Sequence, residues 1–550
     1  MSLKQRYKKS WPEGLPFSLD LSNDTVFNNL KLSAEKYPYQ DAIIFYGNKI
    51  TYSELFLEVK KIAGYLKKEL NLSNGERIGI VMQNCPQFII TYYAILGIDC
   101  VVVPINPMLE VDEICFILKD SNITTLFVAS DKIKVVNTSL KKLKYTSVPL
   151  ICIQYMDYIK NKFNIKLPEG FKKQNYNLGT NYYHKNWSDI LEIKDFQFSH
   201  SNNPDTLCII PYTSGSTGLP KGCKHTNRTV NSVINSYLRW LPVPPQSNIL
   251  TTLPLFHVTG MQNSMNVPIL NGNTIVLMTR WDIETAFHLI KKYKISSWRS
   301  ITTCIIDLVN SFNPKLHDIS SLKSIGGGGA SMPQKIASKL KKLTNLDYVE
   351  AYGLTETMAP THINPPQNIK LGSIGLPLFN VDARILDIET SNELGVNQVG
   401  ELIISSPQLF LGYWNRKDNS KYFVKYNEKL FFRTGDLAYY DSDGYFFVVD
   451  RLKRMINSSG FKIWPSEIEK ILHNYEGIRE VCVIGVSDLR TGEKVKAVIV
   501  PEGSFSESHF LDLKDWCSKH MAKYKIPKIF EIRKSLPKNK MGKVLWKNLK

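Results

Sequence analysis

The segment Thr213-Ser214-Gly215-Ser216-Thr217-Gly218-Leu219-Pro220-Lys221-Gly222 packs four hydroxyls, three glycines and a lysine into ten positions. It follows the short apolar run Leu207–Ile210. Behind it, Val230, Val233, Ile234, Tyr237, Leu238 and Leu241 keep helical spacing. In a strand–loop–helix context, backbone N–H groups can wrap phosphate oxygens. The glycines allow close approach, and Lys221 adds charge. Two other assignments fail on spacing. A Walker-type loop needs G-x-x-x-x-G-K-[ST], whereas Gly542-Lys543 is followed by Val544. A hydrolase elbow needs G-x-S-x-G, which Gly215-Ser216-Thr217-Gly218 does not supply. The segment is a phosphate loop of another kind.

Three further groups carry chemistry. Gly326–Ala330 follows a strand-like stretch, Leu322–Ile325, and reads as a tight turn or a close backbone approach. Glu350–Glu356 sets an aromatic, a hydroxyl and a carboxylate within a few positions, a set able to stack a base, touch a phosphate and hold Mg²⁺. Arg433-Thr434-Gly435-Asp436 puts a carboxylate in a turn, suited to accepting bonds from a diol. Taken alone, each also reads as an ordinary turn. The tail from Met521 to Lys550 carries ten basic residues against one acid, Glu531, and Pro537 and Gly542 suggest an ordered loop presenting Lys543 to an anion.

The elements that position these groups alternate. Ala42–Tyr46 and Lys49–Tyr52 flank the turn pair Gly47-Asn48, and a helix is expected from Ser53 towards Leu70. Thr274–Met278 reads as strand and Phe287–Tyr293 as helix, so the architecture is α/β and layered. Lys132–Asn203, weak in pattern, is expected to form surface loops or an insertion. Near residue 450 the texture changes. Asp450–Arg454 is a charged hinge candidate, and Ser466-Glu467-Ile468-Glu469 reads as a capping box. Strands Val481–Val486 and Lys494–Val500 and a helix from Phe510 to Lys523 complete a small α+β unit. The domains expected are 1–450 and 451–550.

Composition bounds the rest. With 43% hydrophobic and 22% charged residues over 550 positions, the chain is globular, neither disordered nor collagen-like. Its net charge of +19 favours anionic partners. Nine scattered cysteines without a C-x-x-C pair argue against a disulfide framework or a cysteine zinc site, and fit a reducing cytoplasm. The basic start, Met1–Trp11, has no apolar run behind it, so no secretory leader is expected. The uncharged run Ile78–Ile98 imitates a membrane span. Gln83, Asn84, Pro86 and Gln87 near its middle argue instead for a buried strand, a polar turn and a buried helix.

Together the motifs Thr213–Gly222, Tyr352–Glu356, Arg433–Asp436, Asp450–Glu467 and Pro537–Lys543 resemble the adenylate-forming superfamily of acyl-CoA synthetases, firefly-luciferase-like enzymes and peptide-synthetase adenylation domains. Their order and spacing match over essentially the whole chain, and Leu452–Pro465 is most similar to fatty acyl-CoA ligases. The resemblance implies a large layered N-terminal α/β domain and a small mobile α+β C-terminal domain. It implies a two-step reaction: a carboxylic acid, here a fatty acid, and ATP give acyl-adenylate and pyrophosphate, then coenzyme A gives acyl-CoA and AMP. Alternatives on the same scaffold are an aryl- or short-chain-acid ligase and an enzyme loading a carrier protein. A nucleic-acid- or membrane-binding protein ranks last, because it has no use for Glu356, Asp436 and Lys543 in register.

Site roles follow from the same resemblance. Thr213, Ser214, Gly215, Ser216, Thr217, Gly218 and Lys221 hold ATP phosphates. Lys543 bridges carboxylate and α-phosphate, Thr355 contacts the α-phosphate, and Glu356 binds Mg²⁺. Tyr352 with Gly353 stacks on adenine, whose edge Gly328, Gly329 and Ala330 line. Asp436 takes the ribose hydroxyls, with Arg451 a second ribose or phosphate contact. His257 lines the acyl site. Segments near His225–Val230, Trp298–Thr303 and Ile325–Ala330 wall the acyl pocket, where Val230, Ile301 and Ile325 favour a fatty acid. Ser459, Gly460 and Phe461 replace Lys543 after rotation about Arg454 and build the pantetheine channel. Arg454 stands where Asp or Lys is usual, and Ser459 where a glycine is usual.

Overall fold

The computed structural model describes residues 6–159, 167–168, 171, 184–193, 198–213, 219–329, 331–459, 461–503, 505, 507–538 and 544–550. Ser214, Gly215, Ser216, Thr217, Gly218, Ala330, Gly460 and Lys543 lie outside these residues. The chain divides into two compact units, one of residues 1–382 and 405–421, the other of 383–404 and 422–550.

In the larger unit, apolar β-branched runs build two mostly parallel sheets. The first is nine-stranded. Its centre holds β1 (Asn248–Thr251), β2 (Ser297–Ser300), β3 (Ser324–Gly328) and β4 (Tyr348–Tyr352), parallel neighbours in that order. The hairpin Asp41–Phe45/Asn48–Thr51 closes one edge. Its turn residues are Tyr46 and Gly47, both at positive φ, one position earlier than the sequence suggests. The second sheet, seven-stranded, includes Leu207–Ile209, Val101–Pro104 and Arg77–Val81. Ile78–Ile98 resolves into the strand Arg77–Val81 and the fully buried helix Pro86–Gly97, as its polar centre demands. No described helix is long and apolar enough to cross a membrane.

Two expectations change here. The stretch from Lys132 contributes a helix, Ile133–Leu143, and sheet strands Leu150–Ile153 and His184–Asn186, so its described part is framework rather than insertion. Gly326–Gly328 are strand, not turn. A Cβ on Gly327 would run into the carbonyl oxygen of Ser300, and one on Gly328 into that of Ala351. The glycines let three strands approach closely.

Helix α1 (Asn227–Trp240) is capped by Thr226, whose hydroxyl accepts from the Thr229 amide. Its apolar stripe, Val230, Val233, Ile234 and Tyr237, is buried.

In the smaller unit, β5 (Lys429–Tyr440) and β6 (Phe446–Arg451) pair antiparallel in one sheet, while Ile478–Asp488 and Gly492–Pro501 form a long hairpin in another. The hairpin packs against α2 (Pro465–Leu472) and the helix Glu507–His520 around Ile468, Leu472, Val483, Ala497 and Leu513. The expected capping box does not form. Pro465, which lacks an N–H and suits the first helical position, starts α2 one residue early. The Glu469 carboxylate turns instead to Arg454 at 2.5 Å and the Val483 amide at 2.8 Å.

Candidate active site

The phosphate loop is bracketed by a two-residue ladder in which Lys221 pairs with Thr213 and Gly222 with Tyr212. Thr213 Oγ1 is buried and has no hydrogen-bond partner among the described residues. Beyond the ladder, the chain runs beside 411–414. The Lys224 amide donates to the Gly412 carbonyl, and the Trp414 amide donates to that of Gly222. This pairing carries Tyr413 to the motif. The Lys221 ammonium sits 4.1 Å from the centre of the Tyr413 ring, a cation–π contact. The Tyr413 hydroxyl donates to Glu356 Oε1 at 2.6 Å. Lys221 and Glu356, far apart in sequence, are thus joined through one phenol.

The turn holding Thr355 and Glu356 is fixed from three directions. His225, fully buried, meets the Thr355 carbonyl through Nε2 at 2.9 Å. A carbonyl only accepts, so Nε2 carries the proton. Burial pushes the ring's pKa down to about 4, which keeps the imidazole neutral near pH 7. The Phe410 amide donates to the Glu356 carbonyl at 2.9 Å. Gln408 Nε2 donates to the carbonyls of Thr357, Ala359 and Pro360 at 2.8, 3.0 and 3.0 Å. Gly353 has no room for a side chain, since a Cβ would lie 2.7 Å from the Ala359 carbonyl carbon. Tyr352, at the end of β4, is half-buried with its ring edge-to-face against His362 at 5.8 Å.

His257 starts the short helix Val258–Met261 and is half-buried, its pKa lowered by burial. Gly328 ends β3, and Gly329 follows at φ +92° with nothing within 4 Å of a built Cβ.

In the smaller unit, Asp436 lies on β5 rather than in a free turn: the strand bulges at the motif, with Gly435 at φ +69°, and still pairs Asp436 with Arg451 on β6. Arg451 Nε is 2.6 Å from Asp436 Oδ1, and Asp436 is only 1% exposed. Arg433 is held by Glu401 at 2.9 and 2.5 Å. The Thr434 hydroxyl donates to the Leu402 carbonyl at 2.6 Å. Asp450 gathers the hinge candidate: it accepts from the Ser466 amide at 2.8 Å and faces Arg454 at 3.6 Å. Ser459 adopts φ +51°, the region that favours glycine. Exposed Phe461 stacks on Tyr524 at 4.5 Å. Lys543 lies outside the described residues. The neck of its loop is a bridge between Lys538 and Val544, with the Leu545 amide donating to the Pro537 carbonyl at 2.7 Å.

A family model described as AMP-binding enzyme matches residues 30–414, and one described as AMP-binding enzyme C-terminal domain matches 467–543. The chain belongs to the AMP-binding enzyme family. This AMP-binding enzyme is 31% identical to a long-chain-fatty-acid–CoA ligase of Bacillus subtilis (strain 168) over 563 residues, covering 100% of this chain and 98% of the relative. It is 30% identical to 4-coumarate–CoA ligase-like 9 of Arabidopsis thaliana over 512 residues, covering 92% and 85%. Among solved structures, it superposes on the o-succinylbenzoate CoA synthetase of Bacillus subtilis bound to its acyl-adenylate. That match has a TM-score of 0.80 at 25% identity and covers 95% and 98% of the two chains. The AMP-binding enzyme is accordingly an acid–thiol ligase of the AMP-forming type, with the adenylate-forming fold.

Gln408 and Tyr413 were not singled out from the sequence, and His225 was named only at the start of an acyl-pocket wall, not as the support of Thr355. Each acts through a partner more than fifty residues away, and the polar stretch around His225 (Lys224, Thr226, Asn227, Arg228) gives no hint of it.

Proposed function

We propose that the chain activates a fatty acid with MgATP and transfers the acyl group to coenzyme A in the cytoplasm. The observation that carries this reading is the joining of Lys221, Tyr413 and Glu356 at the phosphate-loop ladder. The first step brings a carboxylate onto a triphosphate, and two anions repel. Fixed cations and donors aimed at the developing charge lower that barrier. Lys221, Thr213 and Thr355 supply such groups, and Lys543 supplies the ammonium between carboxylate and α-phosphate.

Glu356 suits magnesium by its donor chemistry. Mg²⁺ is held by one or two carboxylates plus substrate phosphates rather than by a protein cage, and the described residues hold no cluster of three or more metal-ligating side chains. Bound there, the ion would screen the phosphate charge. The o-succinylbenzoate CoA synthetase was also solved with ATP and magnesium ion, at TM-score 0.80 and 25% identity. Asp436, already paired with Arg451, suits a neutral ribose diol. The segment 451–550 acts as the second domain, turning about Arg454 so that Lys543 serves adenylation and 459–461 serves thioester formation. All nine cysteines are free and buried, which fits a reducing compartment.

The test is acid-dependent pyrophosphate release from ATP, followed by thiol consumption when coenzyme A is added. Release without thiol consumption would favour loading of a carrier protein.

A further inference from the structure

Two phenols flank the phosphate-loop ladder, and each ends on a carboxylate. Tyr413 reaches Glu356 on one side. On the other, the Tyr212 hydroxyl donates to Asp120 Oδ2 at 2.7 Å. The Tyr212 ring covers Gly222, its ladder partner, so closely that a Cβ there would lie 3.0 Å from its Cζ. Burial first, and then the bond to Asp120, push the Tyr212 hydroxyl's pKa far up, while Ser121 and the charge of Arg416 draw it partly back. The phenol therefore stays protonated and donates.

Asp120 holds the opposite flank with its backbone. It stands one residue from the end of the helix Val111–Ser121, where carbonyls have no partner within the helix. Its carbonyl accepts from Trp414 Nε1 at 2.9 Å and from Asn415 Nδ2 at 2.6 Å. Arg77 completes this helix end. Its Nε donates to the Ser121 carbonyl and its Nη2 to that of Asn122, both at 3.0 Å, and the guanidinium lies 5.9 Å from the centre of the Trp414 ring. Tyr212 and Trp414 both pack against the core of the second sheet. One residue thus fastens both strands of the site: Tyr212–Thr213, paired with Lys221 and Gly222, and the segment 411–415, which carries Tyr413.

A carboxylate bonded to one strand and a carbonyl bonded to the other fix the distance between them. The Lys221 ammonium hangs from the first through the ladder, and the Glu356 carboxylate is tied to the second through Tyr413. Both must meet one triphosphate, and a displacement of about 1 Å at a reacting centre can cost about a hundredfold in rate. We propose that Asp120 is a positioning residue for adenylate formation, setting the spacing of Lys221 and Glu356 around ATP through Tyr212 and Trp414. The proposal rests on the reading of Lys221 and Glu356 as groups that grip the phosphates and their magnesium ion. Once pyrophosphate has left, that grip is no longer used, so thioester formation does not depend on the clasp.

The experiment measures the two half-reactions separately in the full chain, with the unbranched fatty acid that wild type uses best. Pyrophosphate release from MgATP reads the first, and thiol consumption from supplied acyl-adenylate and coenzyme A reads the second. Tyr212→Phe, which deletes one hydroxyl, should lower kcat for pyrophosphate release about tenfold to a hundredfold. The KM for the acid and the rate of thioester formation should stay near wild type. Asp120→Ala should match it, whereas Asp120→Asn, whose amide oxygen still accepts from Tyr212, should restore most of the rate. Unchanged pyrophosphate release in Tyr212→Phe and Asp120→Ala would overturn the proposal. Equal losses in both half-reactions, with or without a fall in melting temperature, would overturn it too, making the clasp a structural one. Lys221→Ala tells which reading has failed. If that variant releases pyrophosphate at the wild-type rate, the phosphate role of Lys221 falls and this proposal with it. If it is slow while Tyr212→Phe and Asp120→Ala are not, only the positioning role of Asp120 falls.

Discussion

Two carboxylates, Glu356 in the larger unit and Asp436 in the smaller, sit in opposite electrostatic surroundings. Asp436 is buried and already has a guanidinium at 2.6 Å. Glu356 is half-buried, and the bond to its carboxylate is a neutral phenol's, with no cation within ion-pair distance among the described residues. A carboxylate whose charge is unmatched can take a metal ion. One whose charge is matched by arginine can still accept from a diol without demanding another cation. The difference separates the two roles by physics, independently of the motifs in which the residues occur.

Breaking the charge at the reacting centre should have the largest effect. Lys543→Ala should lower adenylate formation by about two to three orders of magnitude, because a preorganised charge is lost from the transition state. Thioester formation from supplied acyl-adenylate and coenzyme A should stay near wild type. Equal losses in both half-reactions, measured separately, would remove the alternating roles of Lys543 and 459–461.

Glu356→Gln should follow, with pyrophosphate release down about a hundredfold or more. Its amide oxygen can still accept from Tyr413, so thermal stability should hold. A collapse in melting temperature would instead make Glu356 structural.

Asp436→Ala should act on nucleotide binding. A charged hydrogen bond to a diol contributes roughly 1.5–3 kcal/mol, so the KM for ATP should rise about tenfold to a hundredfold. An unchanged KM would take Asp436 out of the ribose role.

A smaller effect concerns the support beneath Glu356. The unfolded chain protonates His225 near its ordinary value of about 6.5, while the folded chain resists until about 4. Stability from this site is therefore complete above about pH 6.5 and is lost as pH falls towards 4. His225→Gln, which can still donate to the Thr355 carbonyl, should flatten the acid decline of the melting temperature across that window. An unaltered decline would place the acid sensitivity elsewhere.

Smallest of all, Ser459→Gly should relieve the φ of +51° and stabilise the fold by up to about 1 kcal/mol, read by denaturant unfolding. A loss of stability would show that the serine side chain contributes more than its backbone strain costs.

Much of this organisation was legible in the sequence, for identifiable reasons. The motifs are local, and the buried strand and helix within Ile78–Ile98 follow from where its polar residues fall. What stayed hidden depends on long-range register. Tyr413 reaches Glu356 only because 411–414 runs beside 222–224, and nothing near Tyr413 announces that pairing. Ile325 was expected at the acyl pocket, yet it turns into the core with Trp298, Leu289 and Leu340. Parity decides which side of the sheet it takes, and parity depends on where strand β3 begins. Ser466 to Glu469 matched a capping box, yet Pro465 claimed the helix start and Arg454 claimed the glutamate.

The contrast between the two carboxylates is tested most directly by one titration: the rate of pyrophosphate release against Mg²⁺ at fixed ATP, for wild type, Glu356→Gln and Asp436→Asn. Glu356→Gln should need markedly more Mg²⁺ to reach half its maximal rate. Asp436→Asn should keep the wild-type Mg²⁺ midpoint while requiring more ATP. Equal midpoints in all three proteins, or a shift in Asp436→Asn matching that in Glu356→Gln, would contradict the assignment of cation and diol to these two residues.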